Sequence, residues 1–264
     1  MKVNIQMSTT CIEIFIACTK AVRHGELIRR VSKSDKEFHF QNWFGKRLDN
    51  LGLKFDAPER NTYPDFRLVQ VAEGYETKGL GYPGREANYD CNSQVPSGEH
   101  NGRTIFYVFG RYPADPDSDD YPVLDLVVCH GDFLNAHHNY KHKNESFTAF
   151  GSYGDIMIRD RKMYVAPTPF GLTEGTARHS TLILPVGFNS DKRLKKVGDL
   201  VRIEADKLVA GYTFNMATNK LTPSFMPNPT AGKEHTFVAF RLIDSDGPSV
   251  SMSTRSINHH ELDD

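Results

Sequence analysis

Residues 63 to 80 read YPDFRLVQVAEGYETKGL, with Asp65 directly after a proline and Glu76 and Lys78 two apart in an otherwise apolar stretch. On a β-strand, residues two apart share a face, so Glu76 and Lys78 present a carboxylate and an ammonium side by side. If 65–70 and 73–79 pair as a hairpin, with strands about 5 Å apart, Asp65 meets Glu76. Two carboxylates at one spot repel and need a cation between them. A hard divalent ion, Mg²⁺ first among them, is satisfied by one or two carboxylates, water and a phosphate oxygen. Such an ion polarises the phosphate and helps ionise a bound water. Lys78 would position that water or stabilise the charge that develops at phosphorus. The chemistry these side chains suit is phosphodiester hydrolysis. The connection VQVAEG lacks a favoured two-residue turn, and a slip of one residue would send Glu76 to the other face, so Glu73 is a rival ligand.

A Pro-Asp followed by Glu-x-Lys resembles the PD-(D/E)xK nuclease superfamily, which includes many type II restriction endonucleases and Holliday-junction resolvases. Pro64, Asp65, Glu76 and Lys78 carry the resemblance, over a core of roughly 50 residues. The other Pro-Asp, at Pro116–Asp117, has no Glu-x-Lys after it. The superfamily often adds a glutamate on a helix before the motif, and Glu37 is the candidate here. The resemblance implies a Mg²⁺-dependent endonuclease with a restriction-endonuclease-like core. In it Asp65 and Glu76 bind the metal, Lys78 orients or activates water, and Glu37 is an accessory ligand or base.

Elements that must position these residues can be read on either side. CIEIFIACTKAVRHGELIRRV suits a buried helix interrupted near Gly25. In the next segment Phe40, Phe44, Leu48 and Leu51 form one apolar stripe, with Ser34 or Asp35 as the cap and Gly52 as the stop. Trp43 lies beside that stripe, in the core or at a dimer interface. RTIFYVFGRY, VLDLVVCH, HSTLILPVGF, DLVRIEA, LVAGYTFNM and HTFVAFRLI read as strands. DIMIRDRKMYVAP reads as a hairpin, SFMPNPTAGKEH as a loop, DKRLKK as a solvated face and SINHHELDD as a frayed tail. The expected class is α/β or α+β: a mixed central sheet flanked by helices, with a β-rich C-terminal half. A single nuclease domain over 1–264 would comprise a helical part (1–55), a catalytic core (about 36–135) and a β-rich recognition part (about 136–258).

The composition bounds the partners. With 32 Lys and Arg against 33 Asp and Glu, the net charge is −1, which argues against a non-specific polycation; if the chain binds nucleic acid, that neutrality favours a reader of specific sites. Cys11, Cys18, Cys91 and Cys129 form no CxxC pair, so free thiols in a reducing cytoplasm are expected. No apolar run approaches the roughly 20 residues of a membrane span. The N-terminal CIEIFIAC carries Glu13 and does not read as a signal peptide. There is no GxxxxGK[ST] phosphate loop and no GxSxG elbow, and HHNYKH lacks the glutamate of a zinc-protease motif.

Candidate DNA contacts lie in the Gly-rich stretch after the motif (Arg85, Asn92, Gln94 and Arg103), in a His- and Lys-rich segment (Lys141 and Lys143), and at a basic turn (Arg159, Arg161 and Lys162). The expectation from all of this is a Mg²⁺-dependent, sequence-specific endonuclease of the type II restriction kind, acting on double-stranded DNA as a homodimer. A structure-specific repair or junction nuclease and a non-catalytic β-rich binding protein are the alternatives.

Overall fold

The computed structural model describes residues 9–30, 38–56, 63–91, 95–136, 165–188, 191–215, 217–218 and 220–254. The first apolar stretch forms α1 (Thr10–Arg23), burying Ile12, Phe15 and Ile16. Gly25, at φ +67°, turns the chain into β1 (Leu27–Arg29). The apolar stripe lies on α2 (His39–Asn50), and Gly52, at φ +68°, stands just past its end. Ser34 and Asp35 lie outside the described residues; the N-cap is Phe38, which makes no side-chain cap bond. Trp43 is buried in the core: its ring nitrogen donates to the Glu26 carbonyl at 2.9 Å, and Arg47 lies 4.6 Å over the ring.

The strands then follow as β2 (Phe55–Asp56), β3 (Phe66–Leu68), β4 (Glu73–Tyr82), β5 (Asn88–Asp90), β6 (Glu99–His100), β7 (Arg103–Pro113), β8 (Asp120–Pro122) and β9 (Asp125–His130). After them come β10 (Val165–Pro167), the short helix α3 (Pro169–Leu172), β11 (Thr173–Glu174), β12 (Ser180–Pro185) and β13 (Leu194–Ile203). The order closes with β14 (Lys207–Asn215), β15 (Lys220–Pro227), β16 (Glu234–Leu242) and β17 (Ser251–Met252).

Nine strands form one mixed sheet in the order β13-β16-β12-β9-β7-β4-β3-β2, with β6 paired to β7. β4 and β7 run parallel, as do β9 and β12; the hairpin β3–β4 and the pair β7–β9 are antiparallel. The fold is α+β with a mixed central sheet and few helices. β9 is buried along its whole length, which explains its continuous apolar run. One face of the sheet meets α1 and α2 through Phe15, Phe44, Tyr75 and Phe106. The other face is covered through Tyr89, Phe133 and Leu172, which pack on Tyr107, Phe109 and Cys129. Each fully buried aromatic of this kind contributes about 1.5–3 kcal/mol.

The helix comes close to the sheet at two glycines. Gly79 and Gly110 are partners in the β4–β7 register, and a Cβ at either would collide with Phe40. At the far end of β7, Arg111 pairs with Asp125 at 2.8 and 2.5 Å, between the rings of Tyr82 and Phe170. Both residues are buried, so the pair replaces water for two charges with two hydrogen bonds and aromatic faces.

Several local expectations need correction. The Gly-rich stretch after the motif, residues 79–103, whose polar composition reads as a long loop, holds strand instead: β4 continues to Tyr82 and β5 and β6 follow. DKRLKK is not only a solvated face: Leu194 begins β13, and Arg193 ties Glu13 of α1 at 2.5 Å and Asp191 at 2.6 Å. Half of SFMPNPTAGKEH is strand, because a two-stranded ribbon tolerates proline at its edge and β14–β15 forms its own ladder. The expected hairpin tip at 159–162 and the C-terminal tail lie outside the described residues. Among the described residues no helix is long and apolar enough to cross a membrane.

Candidate active site

The PD and ExK segments form an antiparallel hairpin. Phe66 pairs with Tyr75 and Arg67 with Gly74, so the same register carried one residue further sets Asp65 across from Glu76. The close fit at Gly74 holds this in place: a Cβ there would lie 2.6 Å from Pro64 Cγ and 2.9 Å from Ile105 Cδ1.

The side chains interlock. The Asp65 backbone N–H donates to Glu76 Oε2 at 3.1 Å. Asp65 Oδ2 accepts from the Thr77 backbone N–H at 2.8 Å and from the Thr77 hydroxyl at 2.6 Å. Lys78 Nζ donates to Glu76 Oε1 at 2.6 Å. Here the two-residue period works as the sequence suggests, putting Glu76 and Lys78 on one face.

Three tyrosines wall the site. Tyr107 stands beside Glu76 in the parallel β4–β7 register. Its hydroxyl bonds the Tyr63 hydroxyl at 2.8 Å. Tyr89 lies on the other side, with Lys78 Nζ 5.8 Å from its ring centre. Cys91 is buried nearby, and burial pushes its thiol up to about 11, so it is not a ready nucleophile.

This enclosure tunes the charges. Burial pushes Glu76 up to about 7; Lys78 opposes that shift and Asp65 adds to it. For Lys78 burial works downward, but Glu76 and Asp65 outweigh it and the net shift is upward. A cation beside a carboxyl that titrates near neutrality is a workable proton-transfer pair. The side chain of Lys78 keeps 23% of its surface open, so the pair is reachable from solvent.

No protein-family model matches this chain, nor does any curated protein or solved structure. The functional reading therefore rests on the side chains alone.

Among the described residues no group of three or more His, Cys, Asp or Glu is arranged to hold a metal ion. Asp65 and Glu76 are oxygen donors of the type Mg²⁺ takes; Glu76 Oε1 and Oε2 and Asp65 Oδ2 already accept from Lys78, the Asp65 N–H and Thr77. Glu73 does not join them. It is buried, accepts from the Tyr75 hydroxyl at 2.6 Å, and shares with Tyr75 the face that meets the helices. Glu37 lies outside the described residues.

The expected DNA contacts divide in the same way. Arg85 is exposed in the turn after β4. Arg103 turns inward, and its Nη1 donates to the carbonyls of Leu68 at 2.7 Å, Val71 at 3.3 Å and Glu73 at 3.4 Å. Asn92, Gln94, Lys141, Lys143, Arg159, Arg161 and Lys162 lie outside the described residues. A cleft of about 310 Å³ opens elsewhere, lined by Thr19, Arg23, Asp125, His179 and Asp244 among others; Asp65, Glu76 and Lys78 are not part of it.

Sequence reasoning missed Thr77 and the tyrosines. Thr77 is the middle residue of the Glu-x-Lys, and Tyr63 sits two before Asp65, so both carried a local signal. Tyr107 carried none, because only the β4–β7 register brings it to Glu76.

Proposed function

We propose that the protein is a Mg²⁺-dependent endonuclease that hydrolyses phosphodiester bonds in double-stranded DNA at specific sites. The observation that supports this most is the opposed pair Asp65 and Glu76, with Lys78 Nζ 2.6 Å from Glu76. Asp65 and Glu76 would hold the ion, which supplies Lewis-acid polarisation of the phosphate and a more acidic water. Lys78 would hold that water or the oxygen that gains charge. Glu76, with its proton affinity near neutrality, would be ionised by the approach of the cation. Cutting both strands of a duplex needs two such sites, so a two-fold dimer on a palindromic sequence is the assembly this reading favours.

The test is cleavage of unmodified phage DNA with and without Mg²⁺, using the wild type, Asp65→Ala and Lys78→Ala. Discrete fragments from the wild type alone, with all three proteins melting cooperatively, support the proposal. A smear points to a nuclease without site preference. Intact DNA in every lane overturns it.

A further inference from the structure

The hydroxyl pair above Glu76 has one proton more than its own hydrogen bond uses. Tyr63 and Tyr107 meet oxygen to oxygen at 2.8 Å, so one of them donates and the other accepts. Tyr107 is only 2% exposed, while Tyr63 is half-buried at the rim. A buried hydroxyl that fails to donate costs more than an exposed one, so Tyr107 is the donor. The proton of Tyr63 is then left for whatever enters the site. His100 packs edge-on against the Tyr63 ring at 4.9 Å, and Tyr107, which holds the Tyr63 hydroxyl, is the strand neighbour of Glu76.

We infer that the Tyr63 hydroxyl is a catalytic hydrogen-bond donor to a non-bridging oxygen of the phosphate bound at Asp65, Glu76 and Lys78, with Tyr107 as its positioning residue. This rests on the nuclease reading and deepens it. Phosphoryl transfer builds charge on the equatorial oxygens, and a neutral donor held in a water-poor wall stabilises that charge without reorganising. Lys78 is paired with Glu76 at 2.6 Å, so a second, uncharged donor facing the phosphate complements it. Tyr63 is two residues before Asp65, and one short segment thus supplies both a metal ligand and an oxyanion contact.

The test uses the full chain and a duplex oligonucleotide spanning a cut mapped on phage DNA. Tyr63→Phe keeps the ring and removes the proton. Its single-turnover cleavage is expected to fall about a hundredfold to a thousandfold, with DNA affinity in Ca²⁺ close to wild type; the melting temperature drops because buried Tyr107 loses its acceptor, so cleavage is compared at a temperature where both proteins are folded. A phosphorothioate at the scissile position separates a contact from a packing effect, because sulfur is a poor hydrogen-bond acceptor. With Mn²⁺, which tolerates sulfur, the wild type should still be slowed by one diastereomer, and Tyr63→Phe should lose that preference. Tyr107→Phe should slow cleavage less and keep the preference. If the wild type shows no diastereomer preference in Mn²⁺, or Tyr63→Phe cuts within about twofold of it, the tyrosine assignment falls alone. If the wild type cuts no DNA, the nuclease reading falls and takes this inference with it.

Discussion

Thr77 holds Asp65 by one oxygen: its backbone N–H and its hydroxyl both donate to Oδ2, at 2.8 and 2.6 Å. The carboxylate thereby caps the edge of β4 where a strand partner would otherwise continue. One oxygen of Asp65 is committed to the fold, and its orientation is set by the residue between Glu76 and Lys78.

Thr77→Val should therefore act on metal affinity. The substitution keeps the backbone bond and the shape but removes the hydroxyl, at a cost of about 1 kcal/mol in stability. Asp65 then loses half of its restraint, and the Mg²⁺ concentration for half-maximal cleavage should rise several-fold. Thr77→Ser should restore it. Mg²⁺ titrations of the three proteins check this, and an unchanged midpoint in Thr77→Val would count against Asp65 as a ligand.

Glu76 should leave a mark on the pH dependence of stability. In the fold it holds its proton up to about pH 7, against an ordinary value of 4.5. Between those values the native state keeps a proton that the unfolded chain has released. The stabilisation from this group is thus complete below 4.5 and is lost as pH rises through 7. Glu76→Gln should flatten that part of the melting-temperature profile. Above pH 7, added Mg²⁺ should raise the melting temperature of the wild type but not of Glu76→Gln. Parallel profiles for the two proteins would remove Glu76 from the titration.

Gly74→Ala should damage the site from behind. The new methyl would meet Pro64 Cγ at 2.6 Å and Ile105 Cδ1 at 2.9 Å; the isoleucine tip can swing, but the proline ring is tied to the backbone that leads into Asp65. Overpacking of this kind costs about 1–3 kcal/mol. Because Pro64 carries Asp65, cleavage should fall further than the loss of stability accounts for. Melting curves and cleavage at a temperature where both proteins are folded separate the two effects.

Arg103→Ala should show up as a stability change. Its guanidinium holds three carbonyls of the β3–β4 connection, at Leu68, Val71 and Glu73. Charged hydrogen bonds of this type are worth about 1.5–3 kcal/mol in total. The melting temperature should drop while the salt dependence of DNA binding stays the same. A reduced salt slope would instead show a phosphate contact at Arg103.

The legible parts of the sequence were those whose partners lie close in the chain. Phe40, Phe44 and Leu48 announced α2 by spacing, and Glu76 and Lys78 announced a shared face by a period of two. Gly25 and Gly52 marked the helix ends because only they take positive φ there. Asp65 facing Glu76 was readable once a hairpin was assumed, although the turn itself was not. What stayed hidden depends on distant pairings. Tyr107 reaches Glu76 across a parallel ladder between strands separated by β5 and β6, and Arg193 reaches α1 from the start of β13. Arg103 looked like a nucleic-acid contact because its composition and loop setting matched one; burial against backbone carbonyls is visible only in the fold.

The separation between hairpin and wall has a consequence for how this centre can change. The ionic groups sit on residues 65–78, while two of the three tyrosines that wall them, Tyr89 and Tyr107, come from later strands. The enclosure that most raises the Glu76 carboxyl is thus written partly outside the stretch that carries the charges. A substitution in β5 or β7 that admits water should lower the proton affinity of Glu76, with the carboxylates left where they are. Positions 89 and 107 offer a way to alter how deeply Glu76 is enclosed without touching the hairpin that carries Asp65, Glu76 and Lys78.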